Sequence, residues 1–158
     1  ERVTVLSNQS VDAIREIIWA IDPRTETLHD LLIRVQDFLN AASHAKKIQP
    51  HVSLPLKENL PAFNLSPEQR KNLWVLLKEA VNNSIKHSGC TALWFQCSYQ
   101  NKALSIEIED NGKGFDQSQQ TTGKGLETMK MRCKTLQCSF DIISQPKKGT
   151  KIILLVKL

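Results

Sequence analysis

Apolar residues recur along this chain with two periods, and the change from one to the other divides it into helices and strands. Val11, Ile14, Ile18 and Ile21, with Ile17 beside them, form one helical stripe that ends before Pro23. Ile17 and Trp19 widen that stripe beyond what an isolated helix can bury, so this helix must pack on another element. A second helix is predicted from about Thr27, with Asp30 three residues on as its capping partner. Leu28, Leu31, Leu32, Val35, Phe38, Leu39 and Ala42 make its buried face, and the run from Lys46 to Pro50 ends it. His51 to Leu54 predicts a short strand, and Pro55 and Pro61 bracket a loop. Ser66-Pro67-Glu68-Gln69 then starts a third helix, with Ser as cap, Pro at the first position and Gln able to close a capping box. Its stripe runs through Leu73, Leu76, Leu77, Ala80, Ser84 and Ile85, and Gly89 closes it.

Beyond Gly89 the period becomes two. Strands are predicted over residues 92–99 and 103–110, joined by a turn at Gln100-Asn101. In the second of them Leu104, Ile106 and Ile108 alternate with polar residues, the mark of a half-buried strand. Residues 116–122 hold no aliphatic side chain and read as a mobile loop suited in length to a lid over a ligand. A helix over 126–136 follows, then strands over 139–144 and 151–158 across a turn with Pro146 and Gly149. This order predicts an α/β fold: a two-layer sandwich of a mixed, mostly antiparallel sheet against helices.

A chain of 158 residues allows one domain, or one domain plus a fragment of another. Its 41% hydrophobic and 23% charged residues are ordinary for a globular domain. The longest aliphatic run, Ile152 to Val156, is far short of the ~20 residues of a membrane helix, and the mixed first residues form no signal peptide. No membrane contact is therefore expected. The net charge of +5 is spread along the chain and not clustered with aromatics, so no nucleic-acid groove is indicated. A nucleotide or an acidic protein partner would use that charge equally well. Cys90, Cys97, Cys133 and Cys138 contain no C-x-x-C pair and no His at ligand spacing. They read as reduced thiols of a cytosolic protein, not a zinc site, with Cys97 as a small core residue.

Three stretches carry candidate chemistry. Asp110-Asn111-Gly112-Lys113-Gly114-Phe115 places an acceptor at a strand's end beside backbone that Gly112 and Gly114 leave uncovered, which lets a flat or anionic ligand approach closely. Gly123 and Gly125 open the helix that begins near Leu126, where free N–H groups favour phosphate. Glu79 and Asn83 are four apart and share one helix face, flanked by Asn82 and Lys86. A carboxylate and an amide oxygen there can orient a nucleophile and complete the shell of a hard cation holding phosphates. Taken singly, each glycine pair is also a surface turn and the helix face also a solvated polar stripe.

Together these residues carry a resemblance. The run Glu79 to Ser88, the run Asp110 to Phe115, the run from Gly123 to Arg132 and finally Lys148-Gly149-Thr150 resemble, in order, the four boxes of the GHKL ATP-binding domain. The chain is most similar to sensor histidine kinases whose catalytic domain reads G-x-G-L-x-x-M-x-x-R, over most of residues 27–158. The resemblance implies the Bergerat-type ATP-binding fold. It implies that Asp110 accepts a hydrogen bond from the exocyclic amine of adenine, consistent with an ionised carboxylate being acceptor-only. It implies that Gly112 and Gly114 let the base lie on the backbone, with Thr150 a supporting hydroxyl acting through water. Asn83 is implied as the Mg²⁺ ligand, Lys86 and His87 as neighbours of the phosphates, Gly123 and Gly125 as their cradle at the lid's hinge, and Leu126 as a further nucleotide-binding residue. Glu79 would be the base. Most kinases of the superfamily carry Asn at its place, and the ATP-hydrolysing branches and a subset of kinases carry Glu, so it could activate water or a histidine.

The resemblance also divides the chain. Residues 1–23, with Ile18 to Pro23, are similar to the end of a dimerisation helix, and residues 24–158 to the ATP-binding catalytic domain. Since the pattern begins abruptly at Glu1, the phosphoacceptor histidine is expected upstream, and His29, although followed by Asp30, lies past the family's acceptor position. The implied function is the catalytic domain of a two-component sensor histidine kinase. It would bind Mg-ATP and work with its own dimerisation and phosphoacceptor domain, as a homodimer in the full-length protein, towards a response regulator. The implied location is the cytoplasmic portion of a membrane-anchored sensor. The alternatives are a stand-alone GHKL ATPase or anti-sigma-type serine kinase, and a nucleotide-binding module without catalysis.

Overall fold

The computed structural model describes residues 27–61, 65–117 and 124–157. The expected helix and domain boundary within residues 1–26, most of the 116–122 loop and Gly123 lie outside the described residues. The described elements are α1 (Leu28–Ala45), β1 (Gln49–Ser53), α2 (Pro67–Asn83), β2 (Ala92–Gln100), β3 (Ala103–Asp110), α3 (Lys124–Thr135), β4 (Ser139–Ser144) and β5 (Thr150–Lys157). The sheet has the order β1-β2-β3-β5-β4. Only β1 and β2 run parallel, so the sheet is mixed and mostly antiparallel, as the alternation of strand pairs predicts.

Two helix starts are fixed locally. Thr27 and Asp30 cap α1 reciprocally: the Asp30 N–H donates to Thr27 Oγ1 at 3.3 Å and the Thr27 N–H to Asp30 Oδ2 at 2.8 Å. Ser66 and Gln69 do the same for α2, at 2.9 and 3.1 Å. Satisfying these first-turn donors lets each helix begin without leaving polar backbone unpaired. The helices then cover one sheet face. Leu28, Leu31, Leu32, Val35 and Leu39 of α1 are fully buried, as are Leu76, Leu77, Ala80 and Val81 of α2. They meet Leu93, Phe95, Leu104, Ile106 and Leu154 of the sheet, the alternate residues whose period of two aims them at the helices. Phe38 and Trp74 lock α1 to α2 edge-to-face with centroids 5.9 Å apart, and the Arg34 guanidinium lies 5.0 Å from the Trp74 ring.

Four local features depart from the sequence pattern. β1 starts at Gln49 and takes in Pro50, which an edge strand accommodates although it lacks an N–H. α3 begins at Lys124, two residues before the expected Leu126. The helix expected to reach Gly89 unbroken instead widens into a π-helical turn, Ser84–Ser88, before Gly89 closes it with φ +66°. The expectation of four reduced thiols is also corrected, because Cys133 and Cys138 form a disulfide while Cys90 and Cys97 stay free and buried. The chain leaves α3 through Gln137 in the left-handed region, which folds Cys138 back so that the two Cα atoms lie 5.1 Å apart.

The α1 cap gives a stability prediction. The backbone N–H of Thr27, and then its hydroxyl, hold the Asp30 carboxyl below its ordinary value. A depressed folded-state value contributes stability above the unfolded value and loses it as pH falls through the folded one. Thr27→Ala should therefore lower the urea-unfolding free energy by about 1 kcal/mol near neutral pH, and the variant should lose less further stability than the parent on acidification. Parallel losses in both proteins would show that the Thr27 hydroxyl does not act on Asp30.

Candidate functional site

The sequence places its polar residues of interest on four different elements, and the fold brings them to one cavity. It has a volume of about 450 Å³, within the range of small-molecule sites, and lies where the end of α2 and the start of α3 meet the ends of β3 and β5. Glu79, Asn83, His87, Asp110, Gly114, Gly125, Leu126 and Thr150 all line it. Gly112 and Lys86 do not, and Gly123 lies outside the described residues.

Asp110 anchors one end. It ends β3 with only 3% of its surface exposed. Its Oδ1 accepts the N–H of Gly112 at 2.9 Å, and its Oδ2 accepts the hydroxyl of Ser84, also at 2.9 Å. These two donors compensate the burial of the carboxylate and fix its plane. The π-helical turn sets the Ser84 side. Ser88 donates its hydroxyl to the Ser84 carbonyl at 2.6 Å and accepts the Cys90 N–H at 3.0 Å, while its own carbonyl accepts the Lys113 N–H at 2.8 Å. The end of the helix is thereby tied to the Asp110 loop.

Asn111 pins the same loop from the other side. Its Oδ1 accepts the N–H groups of Thr91 and Ala92 at 2.9 and 3.0 Å, and its Nδ2 donates to Thr91 Oγ1. Thr150 stands opposite Asp110 in the β3–β5 register, and its hydroxyl lies 2.9 Å from that of Ser144. Its direct partner is thus Ser144.

The glycines also serve the packing of the chain itself. A Cβ on Gly112 would sit 2.5 Å from Ser88, so this residue makes room for the π-helical turn. Gly114 has φ +56°, and a Cβ there would collide with the carbonyl oxygens of Gln145 and Gly149. Both allow one part of the chain to approach another, and only Gly114 also reaches the cavity wall.

Glu79 and Asn83 form the other end, one turn apart on α2 as their spacing requires. Gly125, in the first turn of α3, lies against them: a Cβ would be 2.7 Å from Glu79 Oε1 and 3.4 Å from Asn83 Nδ2. Arg132 holds the two helices together by donating to Asn72 Oδ1 at 2.8 Å. The start of α3, where unpaired backbone N–H groups favour anions, is thus set beside an amide and a carboxylate. His87 stays on this wall and Lys86 does not. The wider π-helical turn rotates the chain less per residue, so the third residue after Asn83 falls short of the face that the fourth regains.

Ser84, Ser88, Lys113, Phe115 and Ile152 also line the cavity, and the sequence reading missed them. Lys113 and Phe115 stand inside the Asp110 loop itself, which was their available signal. Ser84 was counted among the apolar stripe of α2, and only its contact with Asp110, 26 residues away, reveals its part. Among the described residues no three His, Cys, Asp or Glu side chains could together hold a metal, and no helix is long and apolar enough to cross a membrane.

Comparisons with known proteins agree with this fold. A family profile described as "Histidine kinase-, DNA gyrase B-, and HSP90-like ATPase" matches residues 68–158. The sensor protein VraS of Staphylococcus haemolyticus is 28% identical over 106 residues, which cover 66% of this chain and 30% of the relative. The chain thus spans under a third of the curated relative it matches. Among solved structures, the histidine kinase domain of the blue-light activated kinase of Erythrobacter litoralis superposes with a TM-score of 0.71 at 15% identity, covering 91% of this chain and 69% of that one. The Acinetobacter baumannii histidine kinase AdeS gives 0.66 at 18% identity, covering 98% and 80%. At such identities the superpositions establish the fold.

Two glycine substitutions should separate the loop from the site. Gly114→Ala should destabilise the protein by more than about 1 kcal/mol, because a side chain at positive φ must also displace two backbone carbonyls. Gly125→Ala should change the melting temperature little, since only the movable end of Glu79 must give way. Equal destabilisation by both would contradict the packing described for the two loops.

Proposed function

We propose, for a chain that belongs to the histidine kinase-, DNA gyrase B- and HSP90-like ATPase family, that it is the ATP-binding catalytic domain of a sensor histidine kinase. The observation that carries this is the single cavity that unites Glu79 and Asn83 with Asp110, Gly125 and Thr150, although these residues are spread over more than seventy positions of the chain. Adenine would enter at the Asp110 end and offer its exocyclic amine to a carboxylate that two protein donors already orient. Apolar Ile152 and Leu126 give its ring a surface to cover. The phosphates would then run toward Asn83, His87 and the first turn of α3.

The residues at that end suit Mg²⁺. Asn83 supplies a neutral oxygen, and Mg²⁺ takes few protein ligands, keeping water and substrate phosphates for the rest. Asn83 would hold the ion, which when bound would neutralise charge on the phosphates. Glu79, one turn away, would accept the proton of the nucleophile, and Gly125 would keep the phosphate end tight against it. The acceptor would be a histidine of a dimerisation domain outside this chain, with a response regulator as the next recipient and a homodimer as the working unit. The sensor relatives, of which this chain spans only 30%, support a part in a larger sensor, and the domain would stand on the cytoplasmic side of a membrane-anchored one.

Two measurements test the reading. Mg-ATP should raise the melting temperature of this chain and GTP much less, and Asp110→Asn should weaken ATP binding by roughly 1–3 kcal/mol with circular dichroism unchanged. Equal stabilisation by both nucleotides would remove adenine from the Asp110 end.

Incubated alone with labelled ATP, the chain should not phosphorylate itself. A histidine-bearing helical domain added in trans should accept phosphate slowly, and Glu79→Gln should reduce that transfer more than it reduces ATP binding. Label appearing on His29 would contradict the proposed acceptor, and steady hydrolysis without any acceptor would favour an ATPase.

A further inference from the structure

We propose that Ser84 is a specificity-determining residue of this nucleotide site: with its hydroxyl proton committed to Asp110, it makes the base-binding end of the cavity a surface of acceptors that admits an exocyclic amine and rejects a carbonyl. The inference rests on the nucleotide reading above and gives part of the base discrimination to a residue outside the four boxes' expected ligands.

A serine hydroxyl is ordinarily two-faced, donating to one ligand and accepting from another as it rotates. Ser84 has lost that freedom. Its Oγ lies 2.9 Å from Asp110 Oδ2, and a carboxylate can only accept, so the single proton of Ser84 points at Asp110. Rotating it away would leave the Oδ2 of a residue only 3% exposed without its donor. Ser84 is itself 6% exposed and lines the cavity, so what it offers a ligand is lone pairs.

The neighbouring hydroxyl is committed in the same sense. Ser144 Oγ accepts the Phe115 N–H at 3.0 Å and lies 3.0 Å from the Gly149 carbonyl, to which it must donate. Its proton being used, the 2.9 Å contact with Thr150 leaves Thr150 as the donor to Ser144. The backbone N–H of Gly112, beside the carboxylate, is taken by Asp110 Oδ1. Asp110, Ser84 and Thr150 therefore all face the cavity as acceptors. An amine with two hydrogens can meet two of them, whereas a carbonyl oxygen at the same place finds no donor among these three. Removing the Ser84 hydroxyl opens room for a water that can donate or accept, and a water of that kind serves a carbonyl as readily as an amine.

The test compares ATP with inosine triphosphate, which carries a carbonyl in place of the amine, by calorimetric titration with Mg²⁺ present. Ser84→Ala and the nearly isosteric Ser84→Cys are measured beside the parent. The parent should prefer ATP, and both variants should narrow the ATP-to-inosine-triphosphate ratio by about tenfold, the equivalent of one ordinary hydrogen bond. Melting temperatures identify which variants are folded, and the cysteine variant decides the matter if the alanine variant is not. A folded Ser84→Cys protein with the parent's ratio overturns the proposal, as does a parent that binds the two nucleotides alike. A parent that binds neither overturns the nucleotide reading itself.

Discussion

Everything at this site depends on burying one carboxylate. Asp110 sits at the end of β3 with its two oxygens filled from opposite directions, by the Gly112 N–H and by the Ser84 hydroxyl. Leaving either oxygen without its donor would cost a buried polar group its partner, on the order of 1–3 kcal/mol. The loop after β3 must therefore turn back at once, and the end of α2 must reach the sheet. The π-helical turn meets the second demand, and the Ser88–Lys113 hydrogen bond joins the two. Gly112 then has no room for a side chain, because Ser88 fills it. Gly112 is in this sense a consequence of how the acid is held.

Much of the fold was legible because its determinants are local. The Thr27–Asp30 and Ser66–Gln69 caps need only four consecutive residues each, and both formed as their spacing predicts. The alternation of Leu104, Ile106 and Ile108 fixed both the strand and the face it turns inward. The first-order site followed from the same logic, since the spacing of four between Glu79 and Asn83 is a property of one helix. What escaped is what depends on distant partners. No local pattern marks Ser84 as the donor to Asp110, Ser144 as the partner of Thr150, or Gly114 as the contact of the Gln145–Gly149 turn. Regular-helix spacing put Lys86 at the flank of the Glu79–Asn83 face, and beyond the π-helical turn it does not line the cavity. The disulfide between Cys133 and Cys138 was missed because their separation suits no metal motif, and only the turn through Gln137 makes them neighbours.

The cavity has two chemically distinct ends, and that division is the basis of the functional reading. One end offers hydrogen-bond acceptors around Asp110, the other an amide, a carboxylate and the start of α3 around Gly125. A nucleotide has the same polarity, a donor-bearing base at one end and anionic phosphates at the other. Both ends are built from residues that the fold gathers from α2, β3, α3 and β5. Arg132 joins α3 to α2 through Asn72.

The most direct test is a crystal structure of this chain with Mg²⁺ and a non-hydrolysable ATP analogue. The adenine amine should lie within about 3 Å of Asp110, the metal on the Asn83 side-chain oxygen and the terminal phosphate beside Glu79 and Gly125. A base bound away from Asp110, or phosphates at the opposite end of the cavity, would contradict that placement.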